Sequence, residues 1–183
     1  MAVHVAPAVF SLVFYRSDEI AALGQEMMDH LGMAGDLTIE VDETTPLTRS
    51  SATRLDDGGV RVKAESGAFE DNRKPRSFSP LACSTSLARA LLRLRDREDQ
   101  AFGTPPADAD LTLAQVATWD LYSVARLRRL GYTVNRQRWL YNFRNRHGFT
   151  DAIDEVFDRI FTAEQLTWGQ LDELSHSALA LAR

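Results

Sequence analysis

A chain of 183 residues with 44% hydrophobic, 26% charged and 9% aromatic side chains has the length of one ordinary domain and the composition of a globular protein. Those values exclude a disordered tail and a collagen-like rod. A chain of this length buries about 70% of its unfolded surface, so its core needs no disulfide or metal. The single cysteine, Cys83, builds neither an intrachain disulfide nor a thiolate metal site.

The net charge of −5 is unevenly spread. Residues 1–70 carry five basic and twelve acidic side chains, and residues 71–120 carry seven of each. Residues 121–150 carry seven arginines and no acid, and residues 151–183 carry two basic and seven acidic side chains. Thirty consecutive residues without a carboxylate are the main feature to explain. Only Lys63 and Lys74 are lysine, and with the many alanines this points to a GC-rich bacterial genome of actinobacterial type. The clustering of the arginines therefore says more than their identity.

In chain order, the apolar run over 8–15 predicts an internal strand buried on both faces. The whole run from Val5 to Tyr15 is eleven residues, against about 20 for a membrane span. It also lacks a basic leader. A cytoplasmic protein with no membrane partner is expected. Ser17-Asp18-Glu19 opens a helix with a capping hydroxyl from Ser17, acids in the first turn and Ile20, Leu23, Met27 and Leu31 on one stripe, stopped by Gly32. Leu37–Asp42 alternates as a strand. Thr53–Leu55 and Val60–Ala64 flank Asp56-Asp57-Gly58-Gly59, a hairpin turn. Residues 70–80 read as a polar crossover with two prolines.

From Leu81 the chain becomes helical. One helix is predicted to about Gln100, with Leu87, Leu91 and Leu94 inward, followed by a loop from Gly103. Thr112-Leu113-Ala114-Gln115 is a capping box and starts a helix through Leu113, Val116, Val124 and Leu127 to Gly131. Asn135 caps a helix over 136–147 with Trp139, Leu140 and Phe143 inward. A further helix covers 151–161, and Thr167–Gln170 repeats the box before the last. The predicted fold class is α+β, a small β-α-β-β-β sheet layer followed by a mainly helical part of about five helices. As one domain, 1–183 has an α/β lobe to about 69, the crossover at 70–80 and a helical lobe over 81–183.

Arg126, Arg128, Arg129, Arg136, Arg138, Arg144, Arg146 and His147, interleaved with Tyr132, Trp139, Tyr141 and Phe143, carry the strongest chemical signal. Helical spacing puts Arg136, Arg144 and His147 along one side and Arg138 and Arg146 on a neighbouring one. Guanidinium groups bind carboxylates or phosphates bidentately. Two arrangements follow: the arginines neutralise the acidic flanks of the same chain, or they face outward as a site. The first is favoured. The acidic total counts against non-specific nucleic-acid binding.

The crossover residues Arg73 and Arg76, with Arg144, Arg146, His147, Asp151 and Asp154, are candidates for a polar pocket, His147 carrying the proton and Asp151 orienting it. A helix–helix junction at Gly148 is the simpler reading. No metal site is expected: H-E-x-x-H and H-x-H are absent, and Glu173-x-x-His176 stands alone where a di-iron bundle needs two such motifs. No cofactor is implied, since G-x-S-x-G, Walker-type and G-x-G-x-x-G motifs are all missing.

The β-α-β-β-β-then-helix order resembles the start of zincin metallopeptidases, although the helix at 81–100 holds neither histidine nor a ligand pair. The resemblance implies a scaffold without the metal. Three functions are thus open. The first is a non-enzymatic binding protein whose 126–147 face, with Arg136, Arg138, Arg144 and Arg146, meets an acidic partner, a like subunit or a nucleic acid. The second is a small hydrolase or transferase for an anionic substrate. The third is a metal-free zincin-like scaffold.

Overall fold

The computed structural model describes residues 2–181, with 53% helix and 16% strand in an α+β arrangement. The chain forms two compact units, one up to Leu94 and one from Arg95 onward.

In the first unit, β1 (Val3–Ala6), β2 (Leu37–Asp42), β3 (Ser50–Arg54) and β4 (Val60–Glu65) form one sheet in the order β1-β2-β4-β3. β2 pairs in parallel with β1 and β4, and β3 closes antiparallel on β4. Gly58 takes a positive φ of 84° in the β3–β4 turn, a conformation in which a side chain would be strained. Alternation does the sorting: Leu37, Ile39 and Val41 of β2 and Val60, Val62 and Ala64 of β4 are buried, while the residues between them are half-buried or exposed.

Helix α1 (Ser17–Leu31) buries Ile20, Gly24, Met27, Met28 and Leu31. Leu23 of the expected stripe is half-buried, and Gly24 takes the inner place. A Cβ on Gly24 would stand 2.8 Å from Ile39 Cδ1 and 3.1 Å from Leu37 Cδ2, so the glycine sets how closely the helix approaches the sheet. The predicted capping role of Ser17 is corrected: the N-cap position is Arg16, and no side chain caps the helix.

Two further expectations are corrected here. The strand predicted over 8–15 is instead β1 at Val3–Ala6, and only Phe14 of that run makes a bridge, to Ser77. Pro7 follows β1 directly and has no N–H for a ladder. Beyond it Val13 and Tyr15 point inward while Val9, Leu12 and Phe14 are exposed. The crossover at 70–80 is partly regular: β5 (Glu70–Asp71) and β6 (Lys74–Phe78) make a small antiparallel hairpin.

Helix α2 (Pro80–Glu98) starts one residue earlier than predicted. Pro80 occupies the first helical position, where a missing N–H costs nothing. The Ser79 hydroxyl accepts from Ala82 N at 3.2 Å. Within the first unit, Ser86 Oγ donates to Ala68 O at 2.8 Å and Ser50 Oγ to Ser86 O at 3.2 Å.

In the second unit α3 (Leu113–Arg129) packs against α4 (Arg136–His147), α5 (Asp151–Thr162) and α6 (Trp168–Leu181). The start signals hold. Thr112 and Gln115 form a complete capping box, and Asn135 Oδ1 accepts from Arg138 N at 3.0 Å. Thr150 Oγ1 accepts from Ile153 N, and Thr167 and Gln170 cap each other. The core joins Trp119, Leu121, Phe143, Ile153, Phe157, Ile160 and Leu171. Leu113 is exposed at the head of α3. Among the described residues no helix is long and apolar enough to cross a membrane.

Candidate binding face on the fourth helix

The arginines of the acid-free block divide by position. Arg126, on the last turns of α3, grips Asp96 with both terminal nitrogens, Nη1 to Oδ1 and Nη2 to Oδ2, each at 2.6 Å. Trp119 Nε1 donates to the same carboxylate at 2.7 Å, and the Arg126 guanidinium lies 4.1 Å from the Tyr122 ring centroid. This is a buried, planar, doubly bonded ion pair. Sequence reasoning passed over Asp96. It is buried on the same side of α2 as Leu92, and nothing local in the chain marks it.

On α4, Arg136 pairs with Asp158 of α5, and Arg144 with Asp154, its Nε donating to Oδ1 at 2.8 Å. The later arginine meets the earlier aspartate, so the two helices run antiparallel across this seam. Arg136 also stands 5.0 Å from the Phe157 ring centroid, a cation–π approach. The Asp154 carboxylate holds the Arg144 guanidinium above its usual range, and in return Arg144 holds Asp154 below the ordinary carboxylate range. Arg136 and Arg144, expected as an anion clamp, are thus engaged by aspartates of the acidic C-terminal flank. Arg128 lies 5.4 Å from the Phe161 ring centroid, and burial pulls the Arg129 guanidinium down.

The other side of α4 is different. Arg138, Tyr141, Asn142, Asn145 and Arg146 are exposed and are followed by the exposed Phe149. At 100° per residue the five helical positions span about 140° of the helix surface. Tyr141 is 57% and Phe149 61% exposed, and their rings meet edge to face with centroids 6.0 Å apart. This face carries two guanidiniums, two amides and two aromatic rings, and no carboxylate.

His147 lies on the inner side and is 1% exposed. Its Nδ1 faces the Phe143 carbonyl at 3.1 Å. A carbonyl only accepts, so Nδ1 carries the proton and Nε2 is an acceptor. Thr118 Oγ1, at 3.3 Å from Nε2, donates to Ala114 O at 3.0 Å. Ser175 Oγ, at 3.4 Å, is then the hydroxyl that donates to Nε2. The ring stacks on Phe143 at 4.0 Å, and burial pushes its pKa below the usual imidazole value.

The expected pairing of His147 with Asp151 is not formed. Asp151 is exposed in the first turn of α5, where its charge acts on Arg144. A cleft of about 250 Å³ in this unit is lined by Arg159, Leu166, Gln170, Glu173, Leu174 and Ser177. Neither His147 nor Asp151 borders it.

Arg73 and Arg76 belong to the first unit, exposed on the β5–β6 hairpin. Arg73 N donates to Asp71 Oδ1 at 2.9 Å, and Arg76 has a φ of 64°. Among the described residues no group of three His, Cys, Asp or Glu side chains is placed to hold a metal ion. His176 turns to Asp172, with Nδ1 3.2 Å from its Oδ1. The Cys83 thiol is buried, which pushes its pKa up. No protein-family model matches the chain, and no curated protein or solved structure matches it.

Proposed function

We propose that the protein is a non-enzymatic binding protein of the cytoplasm whose outer α4 face, Arg138, Tyr141, Asn142, Asn145, Arg146 and Phe149, docks on an acidic protein surface. The observation that carries this reading is the composition of the exposed side of α4, where Arg138 and Arg146 stand among aromatic and amide groups. Tyr, Phe and Arg are the side chains that interfaces favour, because each brings much contact area or several hydrogen bonds for little lost freedom. The acidic net charge of −5 opposes any anionic partner at long range, so the guanidiniums of this face act at close contact. The inward-facing, hydrogen-bonded His147 supports a role in holding α3, α4 and α6 together rather than in proton transfer.

Poly-glutamate tests the reading as an acidic polypeptide probe, titrated against the full chain at rising salt beside a duplex DNA of equal charge. The expected result is salt-sensitive binding of poly-glutamate that disappears in Arg138→Glu/Arg146→Glu. Equal binding by that variant overturns the reading. Preference for DNA moves the function to nucleic acid, and self-association lost in the variant moves it to a like subunit.

A further inference from the structure

The segment after β1 presents apolar side chains to solvent on a backbone held at Ala8 O and at the N–H groups of Ser11, Leu12 and Phe14. Val9 is 83%, Leu12 51% and Phe14 77% exposed. Between and behind them Val13 and Tyr15 are buried, the Tyr15 ring between Phe10 and Phe78 with centroids 5.6 Å away on each side. Tyr15 Oη donates to Ser66 O at 2.6 Å. The Glu43 carboxylate accepts from Ser11 N at 2.7 Å and from Leu12 N at 2.6 Å. Ser17 Oγ donates to Ala8 O at 2.8 Å.

Phe14 N donates to Arg76 O at 2.7 Å, which seats the apolar tip directly beside the β5–β6 hairpin. That hairpin exposes Arg73, Lys74 and Arg76. Its own carboxylates, Glu70 and Asp71, are half-buried, and Asp71 is held by Arg73 N. The fifteen residues from Met1 to Tyr15 contain no acid, and the Glu43 carboxylate beside them is turned onto the Ser11 and Leu12 N–H groups.

We propose that Val9, Leu12 and Phe14, flanked by Arg73, Lys74 and Arg76, form a peripheral docking site for an anionic lipid surface. Two observations favour lipid over a protein groove. Donors at Ser11, Leu12 and Phe14 are already satisfied by the protein itself, which entry into a medium without hydrogen-bonding partners requires. The cations sit beside the apolar tip, so that aliphatic and aromatic side chains enter the acyl boundary while guanidinium and ammonium groups meet headgroup phosphates. This departs from the expectation of a protein without a membrane partner, and it is independent of the α4 face.

The test is co-sedimentation of the full chain with vesicles of phosphatidylcholine alone and of equimolar phosphatidylcholine and phosphatidylserine, with light scattering of the free protein alongside. The expected result is uptake by the anionic vesicles only. Arg73→Ala and Lys74→Ala each weaken it about fivefold, and Val9→Ser/Leu12→Ser/Phe14→Ser abolishes it. Circular dichroism confirms that each variant keeps its fold. No uptake by anionic vesicles, uptake equal on neutral ones, or uptake unchanged in the triple variant overturns the proposal. A dimer in free solution that the triple variant dissolves, without vesicle uptake, assigns the patch to a second copy instead.

Discussion

Arg144 closes on Asp154 of α5, while Arg146, two residues further along the same helix, is exposed. Two residues are about 200° of helical rotation, enough to separate an internal ion pair from an outward cation. The acid-free block is therefore two things at once. One side neutralises part of the acidic C-terminal flank and joins α4 to α5, and the other presents positive charge with aromatic rings.

The buried pair and the seam pairs differ in worth. Asp96→Ala leaves Arg126, itself largely buried, as an uncompensated charge and strips Trp119 of its acceptor. The expected loss is about 3–5 kcal/mol. Asp158→Ala removes a partner from an exposed pair and costs under about 1 kcal/mol. Urea unfolding followed by tryptophan fluorescence checks both, and equal losses contradict the burial difference.

His147 makes stability depend on pH in a defined direction. Its folded pKa is lowered, so the unfolded chain binds the proton more readily. The contribution is complete above the unfolded value of about 6.5 and is lost as pH falls from there through the lowered folded value. The urea midpoint should drop across this range. His147→Asn, which keeps a donor near the Phe143 carbonyl, should flatten that part of the profile; an unchanged slope assigns the pH dependence to other groups.

Thr112→Ala removes the hydroxyl that accepts from Gln115 N and leaves in place the return bond from Thr112 N to Gln115 Oε1. A loss of about 1 kcal/mol is expected, and Thr112→Ser should restore most of it. Thermal unfolding of the three proteins provides the comparison.

Local signals explain why much of the second unit was legible. Thr112, Asn135, Thr150 and Thr167 each satisfy backbone N–H groups within three residues, so their effect is visible in the chain itself. The run over 8–15 misled because it is apolar at nearly every position. Ser11 is its one plainly polar position and sets no alternation, so the inward Val13 and Tyr15 look the same as the outward Leu12 and Phe14. Asp96 was illegible for another reason: its partners Trp119 and Arg126 are 23 and 30 residues away, and only the packing of helices brings them together. The sorting of Arg136 and Arg144 from Arg138 and Arg146 was readable as helical spacing. Which side met α5 was not.

The most direct measurement compares two double variants for binding of poly-glutamate by isothermal titration, after both are shown to be folded. Arg138→Ala/Arg146→Ala removes two cations of the exposed side of α4, and Arg136→Ala/Arg144→Ala removes the two that pair with Asp158 and Asp154. The outer-face account predicts that the first loses affinity roughly tenfold, or about 1.4 kcal/mol, while the second binds as the wild type does. The reverse order, or equal loss in both, would contradict it.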